Sequence, residues 1–396
     1  MGSPTAHALL GASSADRWLK CTPSARLTEN IPDNPSTHAA EGTLAHDLAE
    51  ITLLFKDKQI TKQKYNIALK DIKAHELFSN EMLDHADDFA GYVTEQKANL
   101  QSRYPEQAPL LQTETQVDFS QYVPEGFGTC DAILIGGQEL HIIDLKYGKG
   151  VEVSADKNPQ LMLYALGALN KLGFLYDIEI ISMTIFQPRL NNVSTAQIHV
   201  KHLLNWAEIT LAPAALQAFG GAGEQVAGDH CKFCKLKPTC RKLAEENLKL
   251  AQYEFKPAAT LSNEEIADVI KTADRLKDWS TSIKDYALEQ ALQGEVFEGF
   301  KVVEGKSNRK YTDEILVGAA LTREGYKEED IYTKSLLGIT AMEKLLGKKH
   351  FNTTLGELIE KPAGSPTLVL ETDKREPYKS PQADFDALEE YDDLPF

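Results

Sequence analysis

The stretch GTCDAILIGGQELHIIDLKYG, residues 128–148, decides the fold because it has the pattern of two β-strands joined by a tight turn. Apolar runs rich in isoleucine and leucine flank the glycines at 136–137, and a Gly-Gly pair between two such runs indicates a hairpin. Asp131 lies on the first predicted strand. Asp144 and Lys146 lie two residues apart on the second, so we expect both side chains on one face of the sheet. The sequence therefore predicts two carboxylates and an ammonium group near one end of a β-sheet.

Patterns on either side of this hairpin predict an α/β fold. Apolar residues recur at helical spacing over residues 36–55 and in a second predicted helix near 80–103, and residues 110–119 alternate as a strand does. A predicted helix with Pro159 in its first turn follows the hairpin, and an apolar strand then ends at Pro188. This order predicts a mixed central sheet flanked by helices.

Length and composition limit the number of domains and the class of protein. The 396 residues can hold two or three domains, and we expect a core domain over 1–250, a mainly helical α+β accessory domain over 256–370 and a disordered acidic tail over 371–396. The sequence has no apolar run of membrane-spanning length and no secretory signal at its N-terminus, so we expect a cytoplasmic protein without membrane contact. The net charge of −17 argues against nucleic-acid binding by the whole surface, although a local basic groove would suffice.

Two carboxylates a few ångströms apart, those of Asp131 and Asp144, would form a site of hard oxygen ligands. Such a site suits Mg²⁺ or Mn²⁺, and an ion held there can polarise a phosphodiester and lower the pKa of a bound water. Lys146 would position or deprotonate that water, or stabilise the charge that develops on the phosphate. A structural Asp-Lys pair at a strand edge is the more common explanation of D-x-K alone, so the interpretation depends on the other motifs.

Those motifs together resemble the PD-(D/E)xK nuclease superfamily, and within it the RecB-like branch that carries an iron–sulfur cluster. The matching residues, in chain order, are His46, Asp131 of G-x-x-D, Asp144 and Lys146 of D-x-K, and Gln160 and Tyr164 of Q-x-x-x-Y. The resemblance covers roughly residues 8–245. The chain is also similar to a phage-encoded family found among recombination genes, and that similarity extends into the C-terminal half.

The resemblance implies a restriction-endonuclease-like core and a role for each matching residue. The implied roles are metal ligation by His46, Asp131, Asp144 and the backbone carbonyl of Leu145, action on the nucleophilic water by Lys146, and positioning of the DNA strand by Gln160 and Tyr164. Glu114, in TETQV, has lower weight as a further ligand. Glu41 is a candidate for a carboxylate that does not bind the metal itself but contacts the residues that do.

Cysteine spacing predicts a second site. The stretch HCKFCKLKPTC, residues 230–240, carries three cysteines as C-x2-C-x5-C, and a zinc ion or a [4Fe–4S] cluster needs four soft ligands. The expected ligands are Cys21, Cys231, Cys234 and Cys240. Cys130 is the competitor, but we expect it to face the core because its neighbour Asp131 faces the site. The resemblance favours [4Fe–4S], while zinc, with His230 as a substitute ligand, stays open.

The C-terminal third offers weaker signals. A predicted β-hairpin over residues 299–314 carries Lys301, Lys306, Arg309 and Lys310, either as a solvated basic turn or as a phosphate contact. The long predicted helix over 262–293 is a candidate for homo-oligomerisation. The segment Asp392–Phe396 resembles the C-terminal tip of bacterial single-stranded-DNA-binding proteins, which implies recombination or single-strand-binding-pathway partners. A solubilising acidic tail is an equal alternative.

The sequence as a whole predicts a metal-dependent DNA nuclease. We expect an exonuclease of phage recombination or DNA repair that hydrolyses phosphodiester bonds. The rival from another class is a non-catalytic DNA-processing scaffold that recruits partners through its tail. A zinc-stabilised hydrolase of another substrate is a third alternative.

Overall fold

The computed structural model describes residues 8–32, 37–249, 262–303, 313–325, 327–332, 337–355 and 358–359. Its contacts divide the chain into two units, Met1–Val303 and Glu304–Phe396. The domain boundaries expected from the sequence stay predictions. Most of the predicted basic hairpin, with Lys306, Arg309 and Lys310, and the whole tail that ends in Asp392–Phe396 lie outside the described residues.

A five-stranded mixed sheet forms the centre of the first unit. Its strands are β1 (Leu110–Asp118), β2 (Phe127–Gly136), β3 (Glu139–Leu145), β4 (Ile180–Gln187) and β5 (Asn192–His199). They lie in the order of the chain, and β3 pairs with β4 in parallel while every other neighbouring pair is antiparallel. The predicted α/β class with a mixed sheet is thereby confirmed.

Helices make up most of the remaining described structure. In the first unit they are α1 (Ala15–Lys20), α2 (Ser24–Leu27), α3 (Thr37–Lys56), α4 (Lys62–Lys73), α5 (Asn80–Arg103), α6 (Pro159–Leu172), α7 (Val200–Trp206), α8 (Ala212–Gly220), α9 (Arg241–Leu248) and α10 (Asn263–Leu292). A π-helical turn, Ala207–Leu211, joins α7 to α8. In the second unit they are α11 (Glu314–Arg323), α12 (Glu328–Ile331), α13 (Ile339–Leu346) and α14 (Lys348–Leu355). Along the described residues, no helix combines the length and apolar character needed to cross a membrane.

Two hydrophobic cores lie on opposite faces of the sheet. On β2, Ile133 and Ile135 pack with α6, α7 and α8, whereas Ala132 and Leu134 pack with α3 and α5. This alternation follows from the two-residue period of a strand, and burial on both faces explains the nearly continuous apolar runs of the central strands. The sheet is therefore the middle layer between two layers of helices.

The turn between β2 and β3 follows from its glycines. Gly137 has φ +56°, and a Cβ built there would lie 2.2 Å from the ring of Tyr104. A side chain at this position would therefore be strained and would collide with the ring. The antiparallel pairing of Gly136 with Glu139 confirms the predicted hairpin, which aligns Asp131 and Asp144 near the opposite end of the two strands.

Close packing of α6 on β1 gives a stability prediction. A Cβ at Gly167 would lie 2.7 Å from the Cβ of Val117 and 3.2 Å from its backbone carbon, so Gly167→Ala should lower the free energy of unfolding by about 1–3 kcal/mol. At Gly91, in the middle of α5, the nearest atom would be 3.8 Å away, so Gly91→Ala should raise it by roughly 0.5–1 kcal/mol. Urea denaturation of both variants checks the opposite signs, and equal effects would contradict this account of the α6–β1 contact.

Candidate active site

The end of β3 holds the Asp-x-Lys pair. The backbone N–H of Lys146 donates to the carbonyl of Phe186 at 2.9 Å, which extends the pairing of β3 with β4 by one residue. The strand therefore remains extended from Asp144 to Lys146, and both side chains point to one face, as predicted. The Lys146 Nζ lies 2.8 Å from the Oδ2 of Asp144, whose side chain is only 2% exposed.

The first turn of α6 adds an amide to this ion pair. Asn158 caps the helix by accepting from two backbone N–H groups, and Gln160 and Tyr164 follow on one face. The Gln160 Oε1 accepts from the Lys146 Nζ at 2.9 Å, while its Nε2 donates to the Asp144 Oδ1 and to the Tyr164 hydroxyl, each at 3.0 Å. One amide thus contacts both members of the ion pair and fixes their orientation.

Asp131 joins β2 to two other elements. Its Oδ2 accepts a 2.6 Å hydrogen bond from the backbone N–H of Leu145, and its Oδ1 lies 3.2 Å from the Nδ1 of His46 on α3. The structure therefore brings the predicted site residues from α3, β2, β3 and α6 to the same end of the sheet. The carbonyl of Leu145 as a metal ligand stays a prediction.

An irregular residue in β1 turns a third acid towards this site. Glu114 has φ +42°, a left-handed conformation that costs about 1–3 kcal/mol for a residue with a side chain. The register skips it, with Thr113 opposite Ala132 and Thr115 opposite Cys130, so Glu114 stands across from Asp131. Reasoning from the sequence gave Glu114 too little weight, because a strand pattern does not reveal a positive φ.

Glu114, His46 and Asp131 form a group that could hold a metal ion. Each offers one ligand atom, and these three atoms lie within 4.8 Å of one another. The family resemblance implies Asp144 as a ligand in addition to His46 and Asp131. In the structure, Asp144 is bound by Lys146 and Gln160. Its role as a ligand stays a prediction. An imidazole and two carboxylates are donors that suit Mn²⁺ and Mg²⁺.

Burial and neighbouring charges set the protonation of the site. Burial raises the pKa of Glu114 to about 8, and the Asp131 carboxylate adds to that shift. Burial opposes protonation of His46, but Asp131 outweighs it and raises the imidazole pKa to about 9. Burial likewise opposes protonation of Lys146, yet Asp144 outweighs it, so the pKa of this ammonium group lies above its ordinary value. At neutral pH the site therefore carries protons on Glu114, His46 and Lys146.

The glycine of G-x-x-D makes room for Tyr164. A Cβ at Gly128 would lie 2.9 Å from the Cε1 of the Tyr164 ring and 3.4 Å from the Cβ of Ala12. Any larger residue would push the ring out of its place beside Gln160. The glycine of this motif is thus required for the packing of Tyr164 in the site.

The cysteines do not form the predicted cluster. Cys21, Cys231, Cys234 and Cys240 line one cavity with Arg17 and His230, but all are free thiols. Within the described residues, no cysteine belongs to a group of three or more His, Cys, Asp or Glu side chains whose ligand atoms all lie within 4.8 Å of one another. The prediction of a [4Fe–4S] cluster, or of zinc in its place, is therefore wrong.

The physical reason for this correction is that the sulfur atoms do not converge on one point, and contacts within the loop engage two of the expected ligands instead. The sulfur of Cys231 lies 4.0 Å from the carbonyl of Val226, and burial raises the pKa of this thiol. His230, the substitute ligand, is hydrogen-bonded through Nε2 to the same carbonyl at 2.9 Å. Cys130 is fully buried in the core, as its position next to Asp131 predicted.

Comparison with known proteins shows a family and includes a weak similarity to a solved structure. A family model described as "Protein of unknown function (DUF2800)" matches residues 7–376. A solved structure titled "Crystal structure of SSO0001" is similar over 58% of this chain and 96% of that chain, at 13% sequence identity and a TM-score of 0.22. A score this low supports no argument about fold or function.

The raised pKa values predict how the stability of the metal-free protein depends on pH. Folded Glu114 and His46 hold their protons up to about pH 8 and 9, whereas the ordinary pKa values of these side chains are 4.5 and 6.5. The folded state therefore binds more protons than the unfolded chain in this range, and stability falls as pH rises. Melting temperatures between pH 6 and 9, measured in chelator, should fall less steeply for Glu114→Gln than for the unmodified protein. Glu106→Gln, which changes an exposed carboxylate, is the control. If the melting temperature of Glu114→Gln fell with pH as steeply as that of the unmodified protein, the raised pKa assigned to Glu114 would be contradicted.

Proposed function

The chain belongs to the DUF2800 family, whose description assigns no activity, and we propose from its candidate active site that it is a metal-dependent DNA nuclease. In finer terms, we propose a PD-(D/E)xK nuclease of the RecB-like kind with a restriction-endonuclease-like core. Its role would be that of an exonuclease in phage recombination or DNA repair.

The observation that carries this proposal is an ion pair with a buried carboxylate, next to a group of potential metal ligands. A structural Asp-Lys pair at a strand edge would remain solvated, whereas Asp144 is 2% exposed and bound by both Lys146 and Gln160. Removing charged groups from water is costly, and such arrangements are concentrated at functional sites. The burial of Asp144 therefore favours a functional centre over a solvated surface pair.

The ligand atoms fit a divalent ion. His46, Glu114 and Asp131 supply one nitrogen and two oxygens at mutual distances of 4.8 Å or less. Such an ion, when bound, would polarise the phosphodiester and activate a water molecule. Binding would also displace the protons that Glu114 and His46 carry at neutral pH, since metal ligands must be deprotonated.

The remaining residues fit roles around the phosphate. Lys146 keeps its proton because of Asp144, so its ammonium group suits stabilisation of negative charge on the phosphate better than removal of a proton from water. Gln160 holds that ammonium group in place, and the hydroxyl of Tyr164 is held by the same amide. Together they would orient one strand of the substrate against the metal ligands.

A basic segment supports DNA as the partner. Between residues 230 and 249 the chain has six Lys or Arg and two Glu, although its overall net charge is −17. Lys232, Arg241 and Lys242 are exposed, and the ring of Phe233 is 80% exposed beside Lys232. Exposed cations with an aromatic ring suit a phosphate backbone and a stacked base. Binding through the tail at Asp392–Phe396 and homo-oligomerisation through α10 stay proposals.

The decisive experiment is hydrolysis of DNA by the full chain with Mg²⁺ or Mn²⁺. Linear single- and double-stranded DNA should be degraded and circular DNA spared, as expected of an exonuclease. Lys146→Ala should lower the rate by about 100-fold or more, because a charge-stabilising group in a water-excluded site is typically worth that much. Lys149→Ala, three residues on and 60% exposed, is the matched control and should retain the activity.

Two outcomes would count against the proposal. Hydrolysis by Lys146→Ala at the unmodified rate would remove the assigned centre. DNA binding without hydrolysis in either metal would favour the rival function, a non-catalytic DNA-processing scaffold.

The salt dependence of DNA binding tests the basic segment. The double variant Lys232→Ala/Lys242→Ala should reduce the slope of log affinity against log salt by about 1.4 for single strands, or about 1.8 for double strands. The control is Lys62→Ala/Lys64→Ala, which removes two exposed cations from α4. Binding would be measured in chelator with Lys146→Ala protein, so that no substrate is consumed. Equal slopes for the two double variants would place the DNA elsewhere.

A further inference from the structure

Two buried polar side chains lie just beyond the candidate active site, where β4 ends. Gln187 is the last residue of β4 and is 2% exposed, and Arg189 follows in a short turn with its side chain 8% exposed. Neither side chain takes part in the hydrogen bonds and ion pairs described above between the predicted site residues. Each of the two side chains contacts a different segment of the chain, and each of these segments leads to or carries some of the predicted site residues.

Gln187 holds the loop between β3 and α6. Its Oε1 accepts from the backbone N–H of Val153 at 2.8 Å, and its Nε2 donates to the carbonyl of Val151 at 2.9 Å. The amide thus pairs with the loop much as a neighbouring strand would. Asn192 supports it, since its Nδ2 donates to the Gln187 Oε1 at 2.8 Å and to the Val153 carbonyl at 3.0 Å.

A third contact extends this attachment towards α6. The backbone N–H of Ala155 donates to the Oγ of Ser194 at 3.0 Å, so alternate loop residues are fixed by side chains from the end of β4 and the start of β5. The loop runs from Lys146 to the helix cap Asn158, two residues before Gln160. Its placement therefore sets where Gln160 meets the Asp144–Lys146 pair.

Arg189 holds the opposite side of the site. Its guanidinium group binds the carboxylate of Glu41 through both terminal nitrogens, one of them at 3.0 Å, and lies 3.5 Å from the Oε2 of Glu81. The same group stacks 4.0 Å from the ring centre of Tyr147, the neighbour of Lys146. Because Glu41 lies on α3, five residues before His46, Arg189 connects the helix that carries His46 to the end of β3.

We propose that Gln187 and Arg189 are positioning residues for separate halves of the site. Gln187 sets the Lys146–Gln160 half through the loop at 151–155, and Arg189 sets the His46 half through Glu41 on α3. This inference rests on the proposed nuclease function for its kinetic readout only. Sub-ångström placement matters for such a site, and loss of a supporting contact typically costs 10- to 100-fold in metal affinity or activity.

The experiment separates the two halves. Gln187→Ala should lower kcat by about 10- to 100-fold, with KM and Mn²⁺ affinity changed less than about threefold, because the ligands His46, Glu114 and Asp131 keep their places. Arg189→Ala should instead weaken Mn²⁺ binding by about 10- to 100-fold. Amide hydrogen exchange should accelerate in residues 146–160 for the first variant and in residues 37–56 for the second.

Conservative and matched variants keep the test independent of folding. Gln187→Glu retains the acceptor for Val153 but loses the donor to Val151, and Arg189→Lys retains the charge but not the paired contact with Glu41, so both should show weaker forms of the same two patterns. Gln197→Ala, which loses a 3.0 Å hydrogen bond to Ser182 in the same sheet, and Arg103→Ala, which loses an ion pair with Glu139, are the controls. Neither should alter exchange in either segment.

The outcomes also separate this inference from the proposed function. If the unmodified protein hydrolyses no DNA, the nuclease proposal fails, and the exchange data still decide the positioning roles. Unchanged exchange in both segments, or the same loss of kcat and metal affinity in both variants, would overturn the inference.

Discussion

One carboxylate, that of Asp131, holds together the end of the sheet that carries the candidate active site. One oxygen accepts from the backbone of β3 at Leu145, and the other faces the imidazole of His46 on α3. These two contacts join a central strand to its neighbour and to a helix on one face of the sheet. Burial by itself raises the pKa of a carboxyl group and favours its neutral form. Here the His46 cation outweighs burial and keeps the pKa of Asp131 below its ordinary value. The charge of this one group therefore organises the site around it.

Local sequence patterns predicted the parts of the site that depend on one element at a time. The two-residue period of a strand placed Asp144 and Lys146 on one face, and helical spacing placed Gln160 and Tyr164 together. The hairpin glycines predicted how β2 and β3 align. Each of these inferences needs only the geometry of one strand, one helix or one turn.

The remaining contacts depend on chain segments that are distant in sequence. Arg189 and Glu41 are 148 residues apart, and Gln187 reaches a loop 34 residues before it, so no periodicity relates them. The left-handed backbone of Glu114 is likewise set by its neighbours in the sheet and leaves no mark in an alternating pattern. The cysteine spacing was misleading for the opposite reason. A C-x2-C-x5-C run is compatible with a cluster, but ligation also requires that the thiols converge on one point, which spacing alone does not fix.

Several departures from ordinary backbone and burial preferences lie at the end of the sheet that carries the candidate active site. Glu114 and Asn191 have positive φ values in or beside its strands, and Asp144 and Lys146 place opposite charges where apolar side chains would be expected to be more stable. At the other end, the β2–β3 turn uses glycine where φ is positive, so its backbone carries no comparable strain. A fold tolerates strain and buried charge where the surrounding packing outweighs their cost, and both apolar cores border this sheet. The presence of these costs around His46, Asp131 and Lys146 is thus a physical argument for a functional site that does not depend on any family resemblance.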